Sequence, residues 1–100
     1  MASDDADEPV SIPIERELDL HAFRPRDIPA VVAEYLTAAQ AAGLTEVRLV
    51  HGRGRGVQRG IVQAALDRHP AVESFRDDHA AHLGATLARL RPARHPDRVA

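Results

Sequence analysis

A change of hydrophobic periodicity between residues 14 and 50 restricts the possible folds more than any other sequence feature. Apolar and polar residues first alternate over residues 14–20, which predicts a strand with one buried face. Apolar residues then recur at the helical i, i+3, i+4, i+7 spacing over residues 28–39, with Asp27 as expected N-cap and Gly43 as expected stop. Residues 45–50 (TEVRLV) predict a second strand, so this part of the chain should form a βαβ unit with parallel strands.

The second half of the chain predicts one more helix and two more strands. A glycine cluster over residues 51–56 precedes a helix over residues 57–68, and strands follow over residues 71–76 and 84–90. The order βαβαββ predicts an α/β chain folded as an α+β two-layer sandwich. Right-handed crossovers would place both helices on one face of a four-stranded mixed sheet and leave the other face to solvent or a ligand.

Length and charge predict one folded domain between two tails. One hundred residues allow a single domain, expected at residues 14–91. Residues 1–13 carry four acids and no apolar periodicity, so we expect a disordered acidic N-terminal segment, and residues 92–100 should form a frayed C-terminal tail. Residues 18–91 hold ten arginines against eight acids, and this mildly basic body favours a nucleic-acid partner.

Composition excludes several functional classes. The chain has no cysteine, which excludes disulfide frameworks, thiolate catalysis, cysteine-ligated zinc and iron–sulfur clusters. No apolar run approaches the roughly 20 residues of a membrane span, and no signal peptide is evident, so we expect a soluble, cytoplasmic protein with no membrane partner. Only 3% of residues are aromatic, and no recognition helix is evident, so sequence-specific readout of bases is not expected.

Candidate chemistry is concentrated where the first two strands end. Asp19 and His21 share the polar face of the first strand, with Cβ atoms about 7 Å apart from the strand rise. That spacing fits contact with one phosphodiester, one group moving a proton and the other orienting it, although an ordinary solvated polar face has the same pattern. His51 ends the next parallel strand and should lie at the same sheet edge. The three residues also fit a metal site.

The glycine cluster predicts a phosphate-binding loop. Glycines allow close approach of the backbone to an anion, and the following helix offers free N–H groups. The cluster lacks the Gly-Lys-Ser/Thr ending of a Walker A loop, and Val57 replaces the third glycine of a dinucleotide fingerprint. A loop for nucleic-acid phosphates survives this elimination, beside the alternative of a turn with solvated arginines. The predicted nucleic-acid-binding residues are His51, Gly52, Arg53, Gly54, Arg55, Gly56 and Arg59.

Two tetrapeptides resemble the motifs of a known family. Residues 18–21 (LDLH) and 51–54 (HGRG) are similar to the LDxH and HGxG motifs of the Smr (small MutS-related) domain, and the similarity spans residues 17–91. The resemblance implies a sandwich like the C-terminal domain of translation initiation factor three, in a short free-standing protein without an attached ATPase. It also implies nucleic-acid binding and endonuclease activity, with Asp19 and His21 as the catalytic pair and residues 51–54 holding the backbone.

Three functions are compatible with these motifs. The first is an Smr-type endonuclease, a phosphodiester hydrolase or transesterase that cleaves or nicks RNA or DNA with little sequence specificity. The second is a non-catalytic module that binds nucleic acid or ribosome-associated RNA. The third is a metal-dependent hydrolase that uses Asp19, His21 and His51. No metal ligands are assigned, Mg²⁺ is the one candidate cofactor, and protein partners are not predicted.

Overall fold

The computed structural model describes residues 14–52, 56–80 and 84–93. The predictions for residues 1–13, for most of the C-terminal tail and for Arg53, Gly54 and Arg55 lie outside these ranges. Within them the chain forms β1 (Glu17–Asp19), a 3₁₀ turn (Pro25–Asp27), α1 (Ile28–Ala41), β2 (Glu46–Val50), α2 (Val57–Arg68), β3 (Val72–Asp77) and β4 (Ala85–Leu90).

The four strands form one mixed sheet in the order β1-β2-β4-β3. Strand β1 pairs parallel to β2, whereas β4 pairs antiparallel to both β2 and β3. Helix α2 connects β2 to β3 while leaving the width of one strand between them, and β4 returns from β3 to fill that position. The mixed four-stranded sheet predicted from the sequence is therefore confirmed.

Both helices pack on the same apolar core. Each helix contributes residues at helical spacing, and the strands contribute the alternate residues that face the helices. Removing a large side chain from such a core costs about 2–5 kcal/mol, because the cavity closes only partly. The largest contributors are Leu20, Ile28, Val32, Leu36, Val47, Leu49, Val62 and Leu66.

The entrance to α1 differs from the prediction. Asp27 occupies the predicted N-cap position directly before Ile28, but it has helical backbone angles and its side chain makes no capping hydrogen bond. A 3₁₀ turn that begins at Pro25 precedes the helix and already points the chain along the helical path. The predicted end is confirmed, since Gly43 follows α1 with a φ of +87°, a conformation that favours glycine.

The face of the sheet away from the helices carries the exposed arginines Arg48, Arg76 and Arg89, of which Arg48 and Arg76 are paired with acids. Arg48 lies 3.4 Å from Glu17 and 2.8 Å from Asp78, and Arg76 lies 3.7 Å from Glu46. The exposed pairs with Glu17 and Glu46 contribute about 0–1 kcal/mol each, whereas Asp78 is buried and Arg48 compensates its desolvated carboxylate. The pairs balance the charge of Arg48 and Arg76, so this face is not a simple basic surface. In the described part of the chain, no helix has the length and apolarity to span a membrane.

Candidate functional site

Alternation in β1 places Asp19 on the exposed side of the sheet, and His21 follows in the turn after the strand. Leu18 and Leu20 contact the helix-covered core, so Asp19 between them points away from it. Asp19 is opposite Val50 in the parallel register, at the point where β1 ends. The side chain of Asp19 is 49% exposed and that of His21 is 71% exposed, so both are accessible to a ligand.

Asp19 and His21 contact each other directly. The Asp19 Oδ1 atom accepts a hydrogen bond from the backbone N–H of His21 at 3.0 Å and lies 2.7 Å from His21 Nδ1. A carboxylate oxygen only accepts, so Nδ1 carries the proton and Nε2 points away from the carboxylate. The His21 side chain and then its backbone N–H hold the pKa of Asp19 below its ordinary value of 3.8. The pair is therefore a carboxylate that orients an exposed imidazole.

His51 occupies the same sheet edge but has a different environment. It is 4% exposed, and both of its ring nitrogens have partners. Nδ1 lies 3.0 Å from the carbonyl oxygen of Gly52 and must donate to it, so Nε2 accepts from the Thr86 hydroxyl at 2.9 Å. The backbone N–H groups of His51 and Gly52 both donate to the carbonyl of Gly84 at 3.1 Å. His51 thus fixes the start of the glycine loop from inside the protein.

A chain of hydrogen bonds extends from Thr86 to the surface. Gln63 Nε2 donates to Thr86 Oγ1 at 3.0 Å and to Asp77 Oδ1 at 2.9 Å. Arg59 then binds both carboxylate oxygens of Asp77 at 2.8 Å. This arginine, with some help from Gln63, lowers the pKa of Asp77 to about 2. We call the set His51, Thr86, Gln63, Asp77 and Arg59 the buried-histidine network.

The buried-histidine network includes residues that the sequence did not single out. Gln63 and Arg59 are four residues apart, which places them on one side of α2, but nothing local pairs them with Asp77 or Thr86. The sequence predicts that Arg59 binds nucleic acid. In this structure its guanidinium is 48% exposed and is held by a carboxylate.

Two ends of the glycine loop are described. Gly52 and Gly56 have φ values of +89° and +88°, which side-chain-bearing residues rarely adopt. A Cβ at either position would meet no atom within 4 Å, so backbone conformation and not crowding requires glycine here. Gly56 leads into α2 with no side-chain cap, which leaves the first backbone N–H groups of the helix available to an anion.

A small recess lies between the glycine loop and the turn after β3. Its volume is about 230 Å³. Arg59 and His79 line it together with Asp77 and Asp78, so charges of both signs face this space. Because two acids face the recess, a phosphate group would bind there only if the loop backbone and cations other than Arg59 and His79 also contacted it.

The three residues of the alternative metal site are not brought together. Asp19 and His21 lie on the exposed side of the sheet, whereas His51 lies on the helix side with both nitrogens engaged. In the described ranges, no three histidine or acidic side chains are grouped as they would need to be to hold a metal ion. Mg²⁺ prefers hard oxygen ligands. At this edge the exposed Asp19 carboxylate is such a ligand, and its Oδ1 atom already accepts a hydrogen bond from His21.

Comparisons with known proteins agree on one family. Residues 18–91 match the family model of the Smr domain. The chain is 40% identical over 80 residues to endonuclease MutS2 of Halalkalibacterium halodurans and 38% identical over 80 residues to that of Thermus thermophilus. These matches cover 78% and 77% of this chain but only 10% and 11% of the relatives, so the chain spans about a tenth of their length.

A solved structure shows the same fold. The crystal structure of the Smr domain of Thermus thermophilus MutS2 superimposes with a TM-score of 0.72 at 36% sequence identity. The match covers 78% of this chain and all of that one. The similarity thus extends over the complete domain of the neighbour.

Proposed function

Since the chain belongs to the Smr domain family, we propose that it binds nucleic acid and cleaves or nicks RNA or DNA with little sequence specificity. The relatives named as MutS2 endonucleases support this class of activity. The observation that carries the proposal is the exposed Asp19–His21 pair, with 2.7 Å between Oδ1 and Nδ1.

The geometry of the pair supports general acid–base catalysis by His21. With Nδ1 bound to the carboxylate, Nε2 is the ring atom that exchanges a proton with the attacking or leaving oxygen of a phosphodiester. Asp19 keeps the ring oriented and stabilises the imidazolium form that arises when Nε2 takes up a proton. Asp19 thus acts through His21 and His21 acts on the substrate.

The glycine loop supports the second half of the proposal, which is binding of the nucleic-acid backbone. The uncapped N-terminus of α2 offers N–H groups, and Arg53 and Arg55 add positive charge within the loop sequence. These cations would offset the charge that develops on the phosphorane. Because backbone contacts do not read bases, such a site accepts many sequences.

Cleavage assays with single-site variants test the catalytic part. We expect His21→Ala to reduce cleavage of labelled RNA or DNA by about 10²-fold or more, with Asp19→Asn acting in the same direction. Binding and melting temperature should change little, because both side chains are exposed. Asp67→Asn, which alters an exposed acid on α2, is the matched control and should cleave normally. Undiminished cleavage by His21→Ala would contradict the catalytic role of the pair, whereas a wild type that binds nucleic acid without cleaving it would leave a binding module as the remaining function.

Metal dependence is tested in the same assay. Cleavage that persists in EDTA argues for the acid–base pair alone, whereas cleavage restored only by Mg²⁺ adds a cofactor to the site. If His21→Ala cleaves less than the wild type under whichever of these conditions the wild type is active, the proposed role of His21 is supported.

The salt dependence of binding tests the loop. Arg53→Ala and Arg55→Ala should each weaken binding to all sequences alike and lower the slope of log K against log salt by about one unit. Arg68→Ala, at the far end of α2, is the matched control and should leave the slope unchanged. A change of sequence preference with an intact slope would mean that the loop contacts bases.

A further inference from the structure

Phe23 is the exposed aromatic residue of this chain. The sequence contains three aromatic residues in all. Tyr35 and Phe75 are partly buried against the core, whereas Phe23 is 39% exposed. A large apolar ring in contact with water gains free energy when a ligand covers it, so its position on the surface is informative.

Phe23 follows His21 by two residues, within the turn that ends β1. Its backbone N–H donates to the carbonyl of Leu20 at 3.1 Å and closes a four-residue turn that contains His21. The ends of such a turn have Cα atoms less than about 7 Å apart. The ring is therefore attached to the same short turn that presents the imidazole.

The turn is also connected to the element that follows the glycine loop. Gln58 Nε2 donates to the carbonyl oxygen of Phe23 at 3.4 Å. Gln58 is the second residue of α2, and its neighbour Val57 is 60% exposed. Phe23 and Val57 are two of the three large apolar side chains that are exposed in the described residues. Both belong to segments that flank the proposed phosphate site.

An unpaired nucleobase matches this apolar surface beside a phosphate site. Base faces stack on aromatic rings, and alanine substitution of such a ring typically weakens binding by about 5- to 150-fold per base. In a duplex both faces of each base are covered by neighbouring base pairs, so only an unpaired base has a face to offer. We propose that Phe23 stacks on an unpaired base next to the phosphate at the Asp19–His21 pair, and that the domain therefore selects single-stranded segments. This inference rests on the proposed function.

Binding measurements on the full chain test the stacking. Fluorescence anisotropy would compare a short single-stranded oligonucleotide, its duplex, and single-stranded versions with one abasic site at each position. We expect Phe23→Ala to weaken binding of the single strand by about 5- to 150-fold and binding of the duplex by less than about twofold. An abasic site at one position of the oligonucleotide should weaken its binding to the wild type and leave its binding to Phe23→Ala unchanged.

Two further variants separate the ring from its apolar volume. Phe23→Leu retains apolar packing but has no ring face, so it should lose the single-strand preference while its melting temperature stays near that of the wild type. Phe23→Trp should retain the preference. Because the chain has no tryptophan, the fluorescence of this variant reports the site alone and should be quenched by the single strand and not by the duplex.

The outcomes distinguish this inference from the proposed function. If the wild type binds no nucleic acid even at low salt, both fail. If it binds and Phe23→Ala binds both forms like the wild type, or loses both equally, only the stacking inference is overturned. Wild-type affinity in Phe23→Leu would also overturn it, since an apolar contact with any partner would then account for the exposed residue.

Discussion

Asp19 and His21 illustrate what the sequence predicts at the scale of single residues. Alternation with Leu18 and Leu20 predicts that both are exposed, and they are. The expected Cβ spacing suggested that both groups contact one phosphodiester, one moving a proton and the other orienting it, and in the structure Asp19 Oδ1 lies 2.7 Å from His21 Nδ1. The turn closed by Phe23 and Leu20 ends the extended strand before His21, which allows the backbone N–H and the ring to reach the same carboxylate oxygen.

His51 shows why the buried-histidine network was not predicted. Its place after β2 is evident from the sequence, but its partner Thr86 lies 35 residues further along the chain. The carbonyl of the next residue, Gly52, satisfies Nδ1, but the partner of Nε2 comes from a distant strand, and no local pattern records that. The imidazole that looks like a ligand in the sequence is a buried hydrogen-bonding group in the structure.

Tyr35 provides a test of the packing of α1 against the segment before β1. Its hydroxyl donates to the carbonyl of Glu15, and burial, followed by the charges of Glu17 and Glu15, raises its pKa to about 12. The folded state therefore favours the neutral phenol. The associated stability is fully present below pH 10 and is lost as the pH rises toward about 12.

Phenolate absorbance measures this shift without interference, because the chain has one tyrosine and no tryptophan. We expect a midpoint near pH 12 for the folded protein and near pH 10 for the chain in denaturant. Circular dichroism recorded in parallel identifies any alkaline unfolding. A midpoint near 10 with intact circular dichroism would show that Tyr35 is not held in this environment.

At the scale of elements, strand number was predictable and strand order was not. Each strand has a local apolar pattern, and the two helices predict the crossovers. The position of β4 between β2 and β3 depends on which edges remain unpaired after the crossovers form, and several orders satisfy the same pattern. The length of β1 was overestimated for a related reason, since regular pairing stops where β2 ends at Val50.

The Thr86 hydroxyl connects β2, β4 and α2 in the buried-histidine network, so we expect the free energy of unfolding to depend on it. Thr86→Val preserves the shape of a fully buried side chain but leaves His51 Nε2 and the Gln63 amide without this partner. Leaving buried polar groups unsatisfied costs about 1–3 kcal/mol, so we expect this loss in the free energy of unfolding measured in urea.

Thr86→Ser is the matched control for the network. It retains the hydroxyl and removes one methyl group, for an expected cost of about 0.8 kcal/mol. Nitrogen NMR of the His51 ring should show the proton on Nδ1 in the wild type and in Thr86→Ser. Thr86→Val with wild-type stability and an unchanged ring signal would mean that the hydroxyl does not bridge the two side chains.

At the scale of the whole molecule, charge is distributed unevenly along the chain. Six of the fifteen acids lie in residues 1–17, while ten of the thirteen arginines lie in residues 18–91. Arg48 and Arg76 of the sheet face have acidic partners, whereas Arg53 and Arg55 in the glycine loop are the cations that we propose a polyanion contacts. An acidic segment joined to such a domain competes with nucleic acid for the same cations.

Deleting residues 1–13 should therefore tighten nucleic-acid binding. The deletion removes four acids and no arginine, which changes the formal net charge from −2 to +2. We expect about tenfold tighter binding at low salt, equivalent to roughly 1.4 kcal/mol, with the difference disappearing at high salt as screening shortens the range of the charges. The melting temperature should be nearly unchanged, because the segment has no apolar periodicity to contribute to a core. Replacing Asp4, Asp5, Asp7 and Glu8 by their amides in the full-length chain separates charge from length and should reproduce the gain. A deletion that melts the domain, or an amide variant that binds like the wild type, would contradict electrostatic competition by this segment.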